Sequence, residues 1–348
     1  MGQQKNSIEK YLCPDKTKTP CISKSFQKFR ALKTITVEID PFIQSQVDKV
    51  SRQNIENWIE ELSSFHNRHS KSQNIHQVAE WLKTELYNIG YGIENIKFHY
   101  YEEEGFNLEN VICTKSEDSK KILLICAHYD TILKENFDDI VSRAPGANDN
   151  ASGVAAILEI GRIIYNLKSK YSIEFVFFSG EEQALWGSKH YAHFLKSNNV
   201  DIHLLINLDM CGETGHLSSN NATNIDVDNG QTGVVSTNNE ASQIFGLTME
   251  QMAKTYTDLD VEFDPIDASD YMPFEARGYV CIGAYDGSAI SSNPRYHSST
   301  DILANLNMDF LTSVTKMVLA TILQEAQIKE RKVQKERRRY KKKDKKKY

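Results

Sequence analysis

The sequence predicts a three-layer α/β/α sandwich with a mainly parallel central sheet, and three observations predict it. From Gln53 onward, segments with apolar residues at helical spacing alternate with short apolar runs of strand length. The run 173–178 is apolar almost without a break, as a strand covered on both faces must be. Polar residues of metal-binding type then follow the apolar runs, at the sheet edge where open α/β sheets bind ligands.

The elements follow in order. Residues 53–65 and 74–89 repeat apolar side chains at three and four, giving two amphipathic helices, the second stopped by Gly90. Residues 110–113 and 121–127 read as successive strands. A turn-rich segment opens a long helix over 151–167, and the buried strand 173–178 follows. Residues 182–195 read as helix, 203–208 as strand, 241–256 as helix and 279–284 as strand. The last helix starts near Asn307, and its continuation into the basic tail is left open. Residues 218–237, rich in Asn, Asp and Gly, are expected to form a long loop, either a lid or decoration. The expected organisation is an arm over 1–45, one domain over 46–325 and a basic, disordered tail over 326–348.

Composition narrows the class. Of the 348 residues, 40% are hydrophobic and 25% charged, ordinary for a soluble enzyme. The net charge of −6 hides a split: from Lys329 onward 13 Lys or Arg stand against 3 acids, about +10, leaving about −16 for the rest. Such a tail cannot bury apolar surface. It is expected to be a solvated segment or a contact for RNA or an anionic surface. The six cysteines include no C-x-x-C pair, which argues against a thiolate zinc site. Cys126 and Cys281 lie in apolar runs and read as core residues, and nothing requires Cys13 and Cys21 to pair. No apolar leader and no run of membrane-spanning length is present. A chain complete at Met1 is expected to be cytoplasmic; one that has lost a signal peptide would be secreted or periplasmic. Asn221-Ala222-Thr223 is a sequon in an expected surface loop. The oligomeric state is not legible.

The chemistry lies in five short segments. His128 and Asp130, in A-H-Y-D-T, are two apart at a strand end and face the same way. That spacing lets Asp130 accept the other ring N–H of His128, although H-x-D alone is a weak signal and a lone histidine more often reads as a satisfied core or surface residue. Asp149 projects from P-G-A-N-D-N-A-S-G, where it is either a helix N-cap or a carboxylate able to bridge two cations. Glu181 and Glu182 follow the buried strand. Adjacent acids there point in different directions, so one can ligate a metal while the other stays free as general base; an acidic helix N-terminus is the alternative. Asp209 ends a strand in N-L-D-M, and His297 lies in N-P-R-Y-H-S-S-T-D. Together, two histidines and three carboxylates suit two zinc ions, each with one histidine, one terminal carboxylate and a share of a bridge.

With these motifs the chain resembles the co-catalytic di-zinc aminopeptidases of the bacterial leucyl aminopeptidase type. The resemblance runs from L-S-S-F-H-N-R at Leu62 to about Asn307, and G-E-E-x-x-L-x-G-S and N-P-R-Y-H-S-S-T-D-I-L-A-N carry much of it. It implies a zinc-exopeptidase fold with two zinc ions per chain, His128 and Asp209 on one, Glu182 and His297 on the other, and Asp149 bridging. It further implies Glu181 as general base acting on a bridging hydroxide, Asp130 as the partner of His128, a cis peptide after Asp149, and peptides with a free N-terminus as substrates. Where the family often shows S-D-H, this chain has Ser269-Asp270-Tyr271, so a histidine near the site is missing. The close cysteine pair of secreted members is missing as well. Met210 and Phe274 are candidates for an apolar side-chain pocket. The same fold also accommodates a single-zinc glutaminyl cyclase, a carboxypeptidase with Arg295 as the nearest cation for a substrate carboxylate, or a metal-free binding module.

Overall fold

The computed structural model describes Arg30 and residues 38–228, 238–288 and 293–330. Its strands are β1 (Ile96–Glu103), β2 (Phe106–Lys115), β3 (Lys121–His128), β4 (Ser172–Phe178), β5 (Asp201–Leu208), β6 (Ala222–Val227), β7 (Asp260–Pro265) and β8 (Cys281–Tyr285). They form one sheet in the order β1-β2-β4-β3-β5-β8-β6-β7. The centre, β4-β3-β5-β8, is parallel, and the β6–β7 pair is parallel as well. The outer strands β1 and β2 and the β6–β8 junction are antiparallel.

Alternation along β3 and β4 separates two cores. Leu123, Ile125 and Ala127, with Ile173, Phe175 and Phe177, face one layer. Leu124 and Cys126, with Val176 and Phe178, face the other. The first layer holds α1 (Pro41–Val47), α2 (Arg52–Ser64), α3 (Asn74–Ile89), α4 (Gly153–Ile164), α6 (Asn239–Tyr256) and α8 (Met308–Glu325). The second holds α5 (Trp186–Ser197) and the short α7 (Met272–Glu275). Each fully enclosed Leu, Ile or Phe contributes roughly 1.5–3 kcal/mol.

Local signals set the helix ends. Ser51 Oγ caps α2 by accepting the Asn54 N–H at 3.3 Å, and Asn307 caps α8 by accepting that of Phe310 at 3.1 Å. Gly90 closes α3 at φ 124°, a conformation that only glycine adopts easily. The arm expected over 1–45 overlaps α1, whose Ile43 and Val47 join the core.

Three strands escape the sequence reading: β1, β6 and β7. The polar β6 lies inside the loop expected over 218–237 and is buried along its whole length. Its polar groups are matched laterally: Thr223 Oγ1 donates to Tyr285 O and Asn224 Nδ2 to Asp264 Oδ2. Residues 229–237, the rest of that loop, lie outside the described residues. The helix expected from Glu182 starts only at Trp186, because Ala184 and Leu185 take φ 70° and 63°. The last helix stops at Glu325 rather than running into the basic tail; Lys329 instead bridges to Lys168. The tail from 331 onward and the Cys13–Cys21 pair lie outside the described residues. The sequon is built into the sheet, with Thr223 buried in β6 and Asn221 Nδ2 donating to Asp258 O. None of the helices among the described residues is long and apolar enough to cross a membrane.

Arg68 ties the layers to the edge where β3 ends. Its guanidinium is fully buried and donates to Tyr129 O at 2.8 Å, Leu62 O at 3.1 Å, Gly146 O at 2.9 Å and Pro145 O. Burial lowers it to about 10 despite the nearby carboxylates, led by Asp301. Arg68→Met should therefore cost about 3–5 kcal/mol, since it strands several buried carbonyls. Chemical denaturation of the two proteins measures the difference, and a change below about 1 kcal/mol would contradict this account.

Candidate active site

The carboxyl ends of the parallel strands bring the expected residues together. His128 is the last residue of β3. Ser179 and Gly180 lead from β4 to Glu181 and Glu182. Asp209 continues the β5–β8 pairing by one residue, its N–H donating to Ala284 O at 3.2 Å. Asp149 arrives from the loop before α4, across a cis peptide to Asn150. His297 comes from the loop before α8 at φ 50°, its carbonyl held by the Lys134 N–H at 2.8 Å.

The distances divide this cluster in two. His128 Nε2 lies 3.2 Å from Asp149 Oδ1 and 3.3 Å from Asp209 Oδ1. His297 Nε2 lies 3.0 Å from Asp149 Oδ2 and 2.9 Å from Glu182 Oε2. The two oxygens of Asp149 thus serve two different imidazoles. His128–Asp149–Asp209 and Asp149–Glu182–His297 each place their ligand atoms within 4.8 Å of one another, and so does His128–Glu181–Glu182. Glu182 Oε1 and the other ring nitrogen of His297, Nδ1, are enclosed without a hydrogen-bond partner.

So many acids in one enclosed space distort titration. Desolvation pushes Glu182 up to about 7 against the pull of His297, and it raises Glu181 well above the usual carboxylate range. For the imidazoles burial works against the charge, yet the acids outweigh it: Asp209 leads in raising His128, and Glu182 in raising His297 to about 10. Asp149 is desolvated too, but the two histidines draw it far below the ordinary range. Buried acceptors this dense, with imidazole nitrogens between them, are a donor set for divalent cations of the zinc type.

Around the cluster stand residues that fix its parts. Asp130 Oδ1 lies 3.6 Å from His128 Nδ1, just beyond hydrogen-bond reach. Its oxygens accept instead the backbone N–H groups of Glu181 and Glu182, both at 3.2 Å, and the Ser70 hydroxyl. Three further residues carry hydrogen bonds here that no role was expected for. Asn150 binds either side of Asp209, its Nδ2 donating to Leu208 O at 2.9 Å and its Oδ1 accepting from Met210 N at 3.3 Å. Ser269 donates to Asp209 Oδ2 at 2.7 Å. Asp301 accepts the N–H groups of Asn148 and Asp149 at 2.8 and 3.0 Å. All three sit inside or beside the quoted motifs; what the sequence lacked was the contact that gives them a task.

Other expectations change. Phe274 is not a pocket residue: it is fully enclosed in the second core, 6.0 Å from Phe178 and 6.2 Å from Tyr279. Tyr271, at the position of the missing histidine, has its hydroxyl 2.8 Å from Asp226 Oδ2 and 2.9 Å from Asp267 O. Arg295 is already committed to both oxygens of Glu213, at 2.9 and 2.8 Å.

Known proteins resemble this chain in sequence and in fold. The chain is 27% identical over 287 residues to a probable leucine aminopeptidase of Trichophyton verrucosum (strain HKI 0517), across 80% of this chain and 74% of that relative. A probable zinc metalloprotease of Pyrenophora teres f. teres (strain 0-1) is 34% identical over 195 residues, 50% of this chain and 42% of that protein. Two solved structures share the fold. The Legionella pneumophila LapA aminopeptidase has a TM-score of 0.69 at 19% identity, over 85% of this chain and 78% of its own. A Bacteroides thetaiotaomicron glutaminyl cyclase has a TM-score of 0.64 at 20% identity, over 79% and 98%. The model of peptidase family M28 matches residues 110–322, more than half of the sequence, and the chain belongs to that family.

Proposed function

We propose that the protein is a zinc-dependent aminopeptidase that hydrolyses the N-terminal peptide bond of peptides, with two zinc ions per chain. The observation that carries this reading is Asp149, whose two oxygens face two different imidazoles. His128 and Asp209 would hold one ion, His297 and Glu182 the other, with Asp149 shared. The residues fit the group: His297 Nε2 sits among carboxylate oxygens of Asp149 and Glu182, and the second oxygen of Glu182 is buried without a donor, as expected of ligand atoms around a cation. When bound, a zinc pair polarises the scissile carbonyl and acidifies water.

The chain's own residues do the rest. Asp130 gathers the Glu181 and Glu182 amides, so the two side chains leave the turn in fixed and different directions. The carboxylate contacts of the two imidazole Nε2 atoms go to Asp149, Asp209 and Glu182. Glu181 comes near His128 and Glu182 but makes none of these contacts, which leaves its carboxylate for proton transfer. As general base it takes the proton of the attacking water and delivers it to the leaving amine. A carboxypeptidase reading loses its nearest cation, because Arg295 is paired with Glu213.

Zinc stoichiometry, measured with hydrolysis of a panel of aminoacyl chromogenic amides before and after chelation, tests the assignment. Two zinc ions per chain and chelator-sensitive release, restored by zinc, are expected. One ion with cyclisation of N-terminal glutamine would replace the reading with a cyclase, and no ion would leave a binding module. Glu181→Gln should keep both ions while turnover falls by about 10²–10⁴; retained turnover would remove Glu181 from the base role.

A further inference from the structure

The loop over 145–150 that carries Asp149 is gripped from two sides. On one side Arg68 takes its carbonyls, those of Pro145 and Gly146. On the other, Asp301 takes its amides, Oδ1 accepting Asn148 N–H at 2.8 Å and Oδ2 accepting Asp149 N–H at 3.0 Å. The Asp301 carbonyl adds a third bond, from the Ala147 N–H at 3.2 Å. Asp301 is almost fully buried, 3% exposed, so water does not compete for these bonds.

Asp301 lies four residues after His297 in the same loop. One short segment therefore supplies a side chain to one half of the cluster and fixes the backbone of the residue that both halves share. Two successive amides held by the two oxygens of one carboxyl set the direction in which the next side chain leaves the loop. Moving Asp149 by a fraction of an ångström would disturb its contacts with both imidazoles at once, because each of its oxygens faces a different one.

We infer that Asp301 is a positioning residue that acts through the Asn148 and Asp149 amides to hold Asp149 astride both halves of the site, so that the two metal ions load as a coupled pair. This rests on the two-ion reading above. Outer partners of metal ligands typically change metal affinity by 10–100-fold when replaced, and here the effect should fall on the ion that depends on the shared carboxylate. Asp301→Asn keeps the size but offers only one acceptor oxygen, so one of the two amides loses its partner.

The test is titration of the metal-free full-length protein with cobalt(II), followed by calorimetry, visible absorption and electron paramagnetic resonance. The unaltered protein should take two ions that are magnetically coupled through the Asp149 carboxylate. Asp301→Asn should bind its first ion within a few-fold of normal, its second at least 10-fold more weakly, with diminished coupling. Asn307→Ala removes the cap of α8 in the same stretch without touching the loop. That variant should lose stability yet leave loading and coupling intact, which separates positioning from general weakening. If Asp301→Asn binds two coupled ions normally, or if Asn307→Ala reproduces its loss, the inference fails. If the unaltered protein takes fewer than two ions, the two-ion reading fails first.

Discussion

The structure turns on a concentration of buried acid. Asp149, Glu181, Glu182 and Asp209 meet two imidazoles where parallel strands end, with His128, Asp149 and His297 buried and the other three partly so. Charges of one sign at low dielectric cannot stay ionised together without cations. The displaced titrations of Glu181, Glu182 and His297 express that demand. A fold that assembles such a cluster must also prevent it from relaxing apart, and much of the surrounding hydrogen bonding serves this end.

The restraint comes from backbone more than from side-chain packing. Asp130 holds the amides of Glu181 and Glu182, Asp301 those of Asn148 and Asp149, and Asn150 the strand end on both sides of Asp209. Each acts on a loop that contains a left-handed conformation, at Ala184 and Leu185, at Gly146 and at Met210 respectively. Such conformations persist when surrounding bonds over-determine them. The sheet contributes differently: its register delivers His128, Glu181 and Asp209 to one edge from three neighbouring strands.

Legibility in the sequence followed burial pattern. The strands β3, β4 and β5 were readable because strands covered on both faces are nearly all apolar. The strand β6 was not, since Thr223, Asn224 and Asp226 read as loop until β7 and β8 lie alongside. Helix starts and stops written in local chemistry, such as Ser51 and Gly90, were visible. The start of α5 was not, because Ala184 and Leu185 carry the left-handed turn without a glycine to announce it.

By itself the sequence determined the layered α/β class and picked out a set of side chains of metal-binding type, since both are written in residue type and order within short segments. Only the tertiary structure decided which side chains face one another. It gave Asp149 two partners, committed Arg295 to Glu213, enclosed Phe274 in the core and set Asp301 against the loop that carries Asp149. The physical reason is distance along the chain. Asp301 and Asp149 are 152 residues apart, and a contact of that span exists only once the sheet and its helices have closed around it.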